Sequence, residues 1–196
     1  ELPEGWVWAA IGQCFQVSVG ATPSRKVAAY WNGEIPWVSS GEVQFCRITS
    51  SKESITEEGL NNSSTQLNPA GSVLLGMIGE GKTRGQVALL NIPAANNQNC
   101  AAIWVSETAV SPEYVYYWLW SRYDQTRRGS SGNNQPALNK STIERIPIPL
   151  PPLQEIHQIV AVLDIQLAQI EQEEETITRL LSQSAAQRQN LLKAAF

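Results

Sequence analysis

The sequence predicts an α+β protein: a mixed globular region over residues 1–150, followed by a long C-terminal coiled-coil helix over 151–196. Three observations carry this. From Leu153 to Phe196 the chain has neither proline nor glycine and repeats its apolar residues in heptads. Before that, β-leaning runs are short, four or five residues, and separated by turn residues. Finally, Ser111-Pro112-Glu113 combines an N-cap, a first-position proline and a first-turn carboxylate, a good helix start.

In order, Trp6 and Trp8 flank Val7 in an apolar start, and Phe15–Val19 reads as strand or turn. Residues 20–26 (GATPSRK) form a loop ending in two adjacent cations, and 30–33 (YWNG) a turn. Ile35–Val38 reads as an edge or entry strand because it contains Pro36. Residues 55–60 suit one helical turn closed by Gly59, and 72–75, 86–90 and 101–105 are strands. The aromatic helix runs from Ser111 to about Arg128, where Gly129 ends it and Arg122, Arg127 and Arg128 complement its dipole. Its aromatic residues are expected to pack the core rather than stack on bases. Residues 129–135 are too polar for core, and a short helix starts near Asn139. Pro147, Pro149, Pro151 and Pro152 then impose an extended lead-in to the tail.

In the tail, core positions fall at Ile156, Val160, Leu163, Leu167, Ile170, Ile177, Leu181 and Leu191, interrupted by polar Glu174, Ser184 and Arg188. A helix of some 43 residues is about 65 Å long at ~1.5 Å per residue, more than a small domain can cover. It is expected to lie along another long helix, of a second copy or of a partner. The tail is acidic, three basic against six acidic side chains, so it reads as a spacer and protein-binding surface rather than a DNA ligand. The first 150 residues carry 11 basic and 12 acidic side chains, so a nucleic-acid surface there must be a local patch.

Much chemistry is excluded. Cys14, Cys46 and Cys100 are an odd set without paired spacing, which argues against a disulfide framework and for a reducing compartment. No apolar run suits a bilayer and no signal peptide is visible, so a cytoplasmic protein is expected. An opening without methionine is expected of a shortened chain or a domain from a longer one. The single histidine, His157, falls in the first turn of the tail helix and reads as a surface or interface residue. Neither CxxC nor HxxxH occurs, so no zinc site is expected. Residues 76–83 (GMIGEGKT) match the phosphate-loop formula letter for letter. That loop must open a helix, yet Gly85 interrupts the first turn and a β-leaning run follows. A glycine-rich hairpin presenting Lys82 and Arg84 at its tip is the better reading.

Seven short motifs occur in order: Gly5-Trp6, Gly20-x-Thr22-Pro23, 33–37 (GEIPW), Ile55-Thr56-x-x-Gly59-Leu60, Asn97-Gln98-x-Cys100-x-Ala102-Ile103, Gly132-x-x-Gln135 and 149–153 (PLPPL) with Glu155. Together they resemble the specificity subunit of type I restriction-modification systems, as one target recognition domain (1–150) plus one conserved helical region (151–196). Ile156 departs from the family's usual glutamine. The resemblance implies a non-catalytic reader of double-stranded DNA that reads one half of a bipartite site. Its helix would dock methyltransferase subunits, which bind S-adenosylmethionine, and restriction subunits where the complex cleaves; the chain itself needs no cofactor. Consistently, neither NPP[FY] nor FxGxG is present, Asn68-Pro69-Ala70 being the nearest approach. With one domain and one helix the chain is half the usual layout. It is expected to be a fragment, a half-subunit pairing with another, or a homodimer through the helix.

Candidate phosphate contacts are Arg25, Lys26, Lys82, Arg127, Arg128 and Lys140; candidate base readers are Arg84, Gln98, Asn133, Asn134 and Gln135. Two competing readings stay open: a coiled-coil protein-binding scaffold without DNA binding, and, more distantly, a phosphate-loop enzyme.

Overall fold

A computed structural model describes residues 2–79, 81–128 and 138–196. The chain divides into two compact units, Glu1–Ile156 and His157–Phe196.

The first unit is a mixed α+β domain with three small sheets. β1 (Val7–Ala10) leads into a one-turn helix α1 (Ile11–Cys14) and β2 (Gln16–Val19). Next come β3 (Trp31–Val38), β4 (Cys46–Ile48), β5 (Glu53–Ile55) and α2 (Glu57–Asn61). β6 (Ser72–Gly76), β7 (Val87–Leu90), β8 (Ala95–Asn96) and β9 (Cys100–Trp104) precede α3 (Pro112–Ser121), α4 (Tyr123–Arg128), α5 (Lys140–Glu144) and β10 (Pro147–Leu150). A five-stranded sheet has the order β2-β9-β6-β7-β4, antiparallel except for the β7–β4 pair. Its strands β6 and β7 are buried at every residue, which is why they read as unbroken apolar runs instead of alternating ones. Val38, Val43, Ile48, Leu74, Ala88 and Leu90 lie at the centre of its core. The second sheet, β5-β3-β8, packs Trp37, Ile55 and Ala95. The third pairs β1 with β10 and so joins the two ends of the domain.

Several expectations are revised. Residues 31–33 are not a free turn: they begin β3, where the register shifts between Trp31 and Ile35 and Asn32 takes φ 62°. β3 is the central strand of its sheet, but β8 joins it only at Trp37 and Val38, so Pro36 sits where the strand still has one open side. The aromatic helix breaks at Arg122 into α3 and α4. Ser111 flanks it, yet its hydroxyl donates to Glu113 Oε2 at 2.7 Å instead of capping an N–H. Tyr114, Tyr116 and Leu119 are buried, and the Tyr114 hydroxyl donates to the Pro149 carbonyl at 2.6 Å. Burial pushes that phenol up to about 12. Asn139 caps α5 through its side chain, accepting from the Thr142 N–H.

The phosphate-loop string forms the connection between antiparallel β6 and β7, and no helix opens at Lys82-Thr83. Gly85, at φ 84°, helps turn the chain into β7.

α6 (Leu153–Ala195) is a 43-residue helix. Ile156, expected as its first interface position, is instead 1 % exposed and buried in the domain unit. In the second unit, which consists of the remaining helix, Ile170, Ile177, Leu181 and Leu191 are exposed in the single chain.

Candidate nucleic-acid interface

The structure places Arg25, Lys26 and Gln98 in one loop group on the domain and Lys82, Arg84 and Arg127 in another. In the first, the loop 20–26 is pinned from below by two indoles: Trp37 Nε1–H donates to the Ala21 carbonyl at 3.0 Å and Trp31 Nε1–H to that of Ser24 at 3.2 Å. Arg25 lies over the Trp31 ring, its guanidinium carbon 3.7 Å from the centroid, and forks onto both carboxylate oxygens of Glu53. The hydrogen bond from Arg25 holds the Glu53 carboxyl below its usual range, against an opposing effect of burial. Arg25 is therefore a preorganised cation whose fork is already engaged. Lys26 beside it is exposed.

The facing loop brings Gln98 against this one, where its Oε1 accepts from the Thr22 hydroxyl at 2.6 Å. A buried polar network sets the approach. Asn68 Oδ1 accepts from Ser18 Oγ and Trp104 Nε1, both at 2.9 Å, while its Nδ2 donates to the Ala94 carbonyl and to Asn96 Oδ1. Asn96 Nδ2 in turn donates to the carbonyls of Asn97 and Cys100. Its own carbonyl accepts from the Ala21 N–H at 3.0 Å. A Cβ on Gly20 would stand 2.1 Å from that carbonyl oxygen, so only glycine allows the two loops to meet. Sequence reasoning missed Asn68 and Asn96. Asn68-Pro69 drew notice only as a failed catalytic motif, and nothing local marks an asparagine as buried.

The second group surrounds the β6–β7 connection. Lys82 is exposed, and its carbonyl accepts from the Tyr123 hydroxyl at 2.8 Å. Arg84 is not at the tip: it is 6 % exposed, and its Nη2 donates to the Arg127 carbonyl at 2.8 Å. Arg127 returns a hydrogen bond to the Arg84 carbonyl at 3.2 Å and lies over Tyr123. Arg84, buried and bonded to the Arg127 backbone, ties the β6–β7 connection to α4 instead of standing exposed at a tip. Lys140 stands apart on α5, 3.8 Å from Glu144. Asn133, Asn134 and Gln135 lie outside the described residues, as does the side chain of Arg128.

Among the described residues there is no group of three or more His, Cys, Asp or Glu able to hold a metal ion, and no helix long and apolar enough to cross a membrane. Burial pushes the Cys100 thiol up to about 12.

The family described as the type I restriction modification DNA specificity domain matches residues 3–182. The chain belongs to this family. Among curated members, it is 30% identical over 168 residues to the type I restriction enzyme MjaIX specificity subunit of Methanocaldococcus jannaschii, covering 83% of this chain and 38% of that protein. It is likewise 30% identical over 163 residues to the EcoR124I/EcoR124II specificity subunit of Escherichia coli, covering 80% and 40%. The chain thus spans about two-fifths of the length of these relatives. Its fold is that of the HsdS subunit from Thermoanaerobacter tengcongensis, with a TM-score of 0.68 at 20% identity over 87% of this chain and 39% of that one. The specificity-domain family therefore accounts for both the mixed domain and most of the long helix.

Proposed function

We propose that this specificity-domain chain is a non-catalytic DNA reader of a type I restriction-modification system, recognising one half of a bipartite site in double-stranded DNA. The observation that carries the reading is the family match over residues 3–182, which takes in the domain and most of the helix. The two loop groups support it, since they expose Lys26, Gln98 and Lys82 on short, internally braced loops. In this reading Arg25, Lys26, Lys82, Arg127, Arg128 and Lys140 hold phosphates, while Gln98, Asn133, Asn134 and Gln135 read base edges. The division of labour is a domain of 1–150 that reads DNA and a helix of 151–196 that docks partners. Catalysis and S-adenosylmethionine belong to methyltransferase subunits docked along the helix, joined by restriction subunits where the complex cleaves, in the cytoplasm.

Two copies, or this chain and a second half-subunit, pair through Val160, Leu163, Leu167, Ile170, Ile177, Leu181 and Leu191. The exposed apolar side chains from Ile170 onward support this, because a lone helix gains nothing from presenting them to water. The test is selection from a random duplex pool by the chain assembled with its cognate methyltransferase subunit. An enriched inverted repeat with a fixed gap is the expected result. A single ungapped half-site would rule out the two-copy arrangement. No enrichment by a demonstrably assembled complex would rule out the DNA reader in favour of a protein scaffold.

A further inference from the structure

An open polar groove of about 440 Å³ is lined by Gly41, Glu42, Gln44 and residues 46–52. None of the candidate DNA contacts named above belongs to it. Its one lining carboxylate, Glu42, is occupied: Oε2 accepts from the Ser39 N–H and hydroxyl, each at 2.9 Å, and Oε1 from the Lys52 N–H at 2.9 Å. Arg47 is turned onto Glu113 at 3.1 Å. By contrast Thr49, Ser50 and Lys52 are exposed, and their side chains make no hydrogen bond or ion pair among the described residues. Two hydroxyls and an ammonium lining one groove are donors suited to phosphate oxygens.

The chain ties this groove to both loop groups. Lys52 is followed by Glu53, the partner of Arg25. Gln44, which also lines the groove, is followed by Phe45, whose ring stacks on Trp120 at 5.1 Å and meets Tyr123 edge-on at 5.0 Å. Tyr123 in turn holds the Lys82 carbonyl. Phe45 has φ 54°, a strained conformation for an aromatic residue, and is kept there by those rings and by its N–H donating to Val87 O at 2.8 Å. Backbone strain maintained between two groove-wall residues fits a surface whose shape matters.

We propose that this groove is a track for the sugar–phosphate backbone of duplex DNA, with Thr49 and Ser50 donating to phosphate oxygens and Lys52 neutralising a phosphate. The proposal rests on the DNA-reader function and adds to it a sequence-independent positioning contact.

The test measures binding of the chain–methyltransferase complex to its selected site and to a scrambled duplex, across a salt series. Lys52→Gln keeps the backbone N–H that holds Glu42, so its melting temperature should match wild type. It should lose about 3–10-fold in affinity on both duplexes and flatten the slope of log K against log salt by about 0.9, the signature of one phosphate contact. Thr49→Val with Ser50→Ala should weaken both duplexes without changing the slope. If wild type binds its site and Lys52→Gln binds it equally well with the same slope, the groove proposal falls alone. A changed sequence preference would make the groove a base reader and overturn it too. Inorganic phosphate at constant ionic strength should compete with DNA in wild type more than in Lys52→Gln; phosphate that binds wild type through Lys52 without displacing DNA would mark a free-anion site and overturn it. A wild-type complex that binds no DNA removes the reader function and the groove with it.

Discussion

Arg84 shows how a single side chain changes meaning with burial. In the sequence it sits two residues from Lys82, in a glycine-rich turn, and reads as a second exposed cation. In the structure the chain reverses so tightly that Arg84 points inward and ties the β6–β7 connection to α4. Arg84→Ala is therefore expected to destabilise the domain by about 1.5–3 kcal/mol, visible in denaturant unfolding, and to leave the preferred DNA sequence unchanged. A shifted site preference at unchanged stability would restore it as a base reader. Asn68 is the opposite case, a residue with no signal whose buried side chain makes four hydrogen bonds. Asn68→Ala would leave Ser18 Oγ and Trp104 Nε1 without their acceptor, at a cost of about 2–4 kcal/mol measured by the same unfolding experiment. The motif ends also find their reason here: Trp6 Nε1–H donates to Glu155 Oε2 at 2.9 Å, so Gly5-Trp6 and the proline-rich lead-in meet in space.

Element by element, β6, β7 and β9 were legible because each is a buried apolar run bounded by turn residues. β4, β5 and β8 went unread: they are two or three residues long and exist only because longer neighbours supply their hydrogen-bond partners. The break between α3 and α4 was invisible for a related reason. No glycine or proline marks it, and its placement follows from tertiary contacts, Phe45 against Trp120 and Tyr123. The long helix was the most legible element, since 43 residues without a breaker need no tertiary help to be recognised. Its heptad begins later than the pattern suggests, because Ile156 serves the domain. If the remaining positions pair two helices, Leu163→Glu with Leu167→Glu should convert a dimer to a monomer in analytical ultracentrifugation. An unchanged mass would exclude that interface.

For the whole molecule, if two copies pair as proposed, one helix bounds the distance between their half-sites. About 65 Å of helix at ~3.4 Å per base pair permits a gap of no more than about 19 base pairs in an inverted repeat. Sequencing of selected duplexes checks this, and a wider fixed gap would show that the helix is not the spacer. The sequence by itself determined the α+β class, the long helix and, through seven ordered motifs, the family, because each depends on local pattern or on residues read in chain order. Only the tertiary structure decided which loops meet, that Arg84 and Ile156 are buried, and that an unmarked Thr-Ser-Ser-Lys run lines a groove. Burial and proximity belong to contacts between residues far apart in the chain: Ser18 and Asn68, or Thr22 and Gln98, are joined only when the sheets assemble.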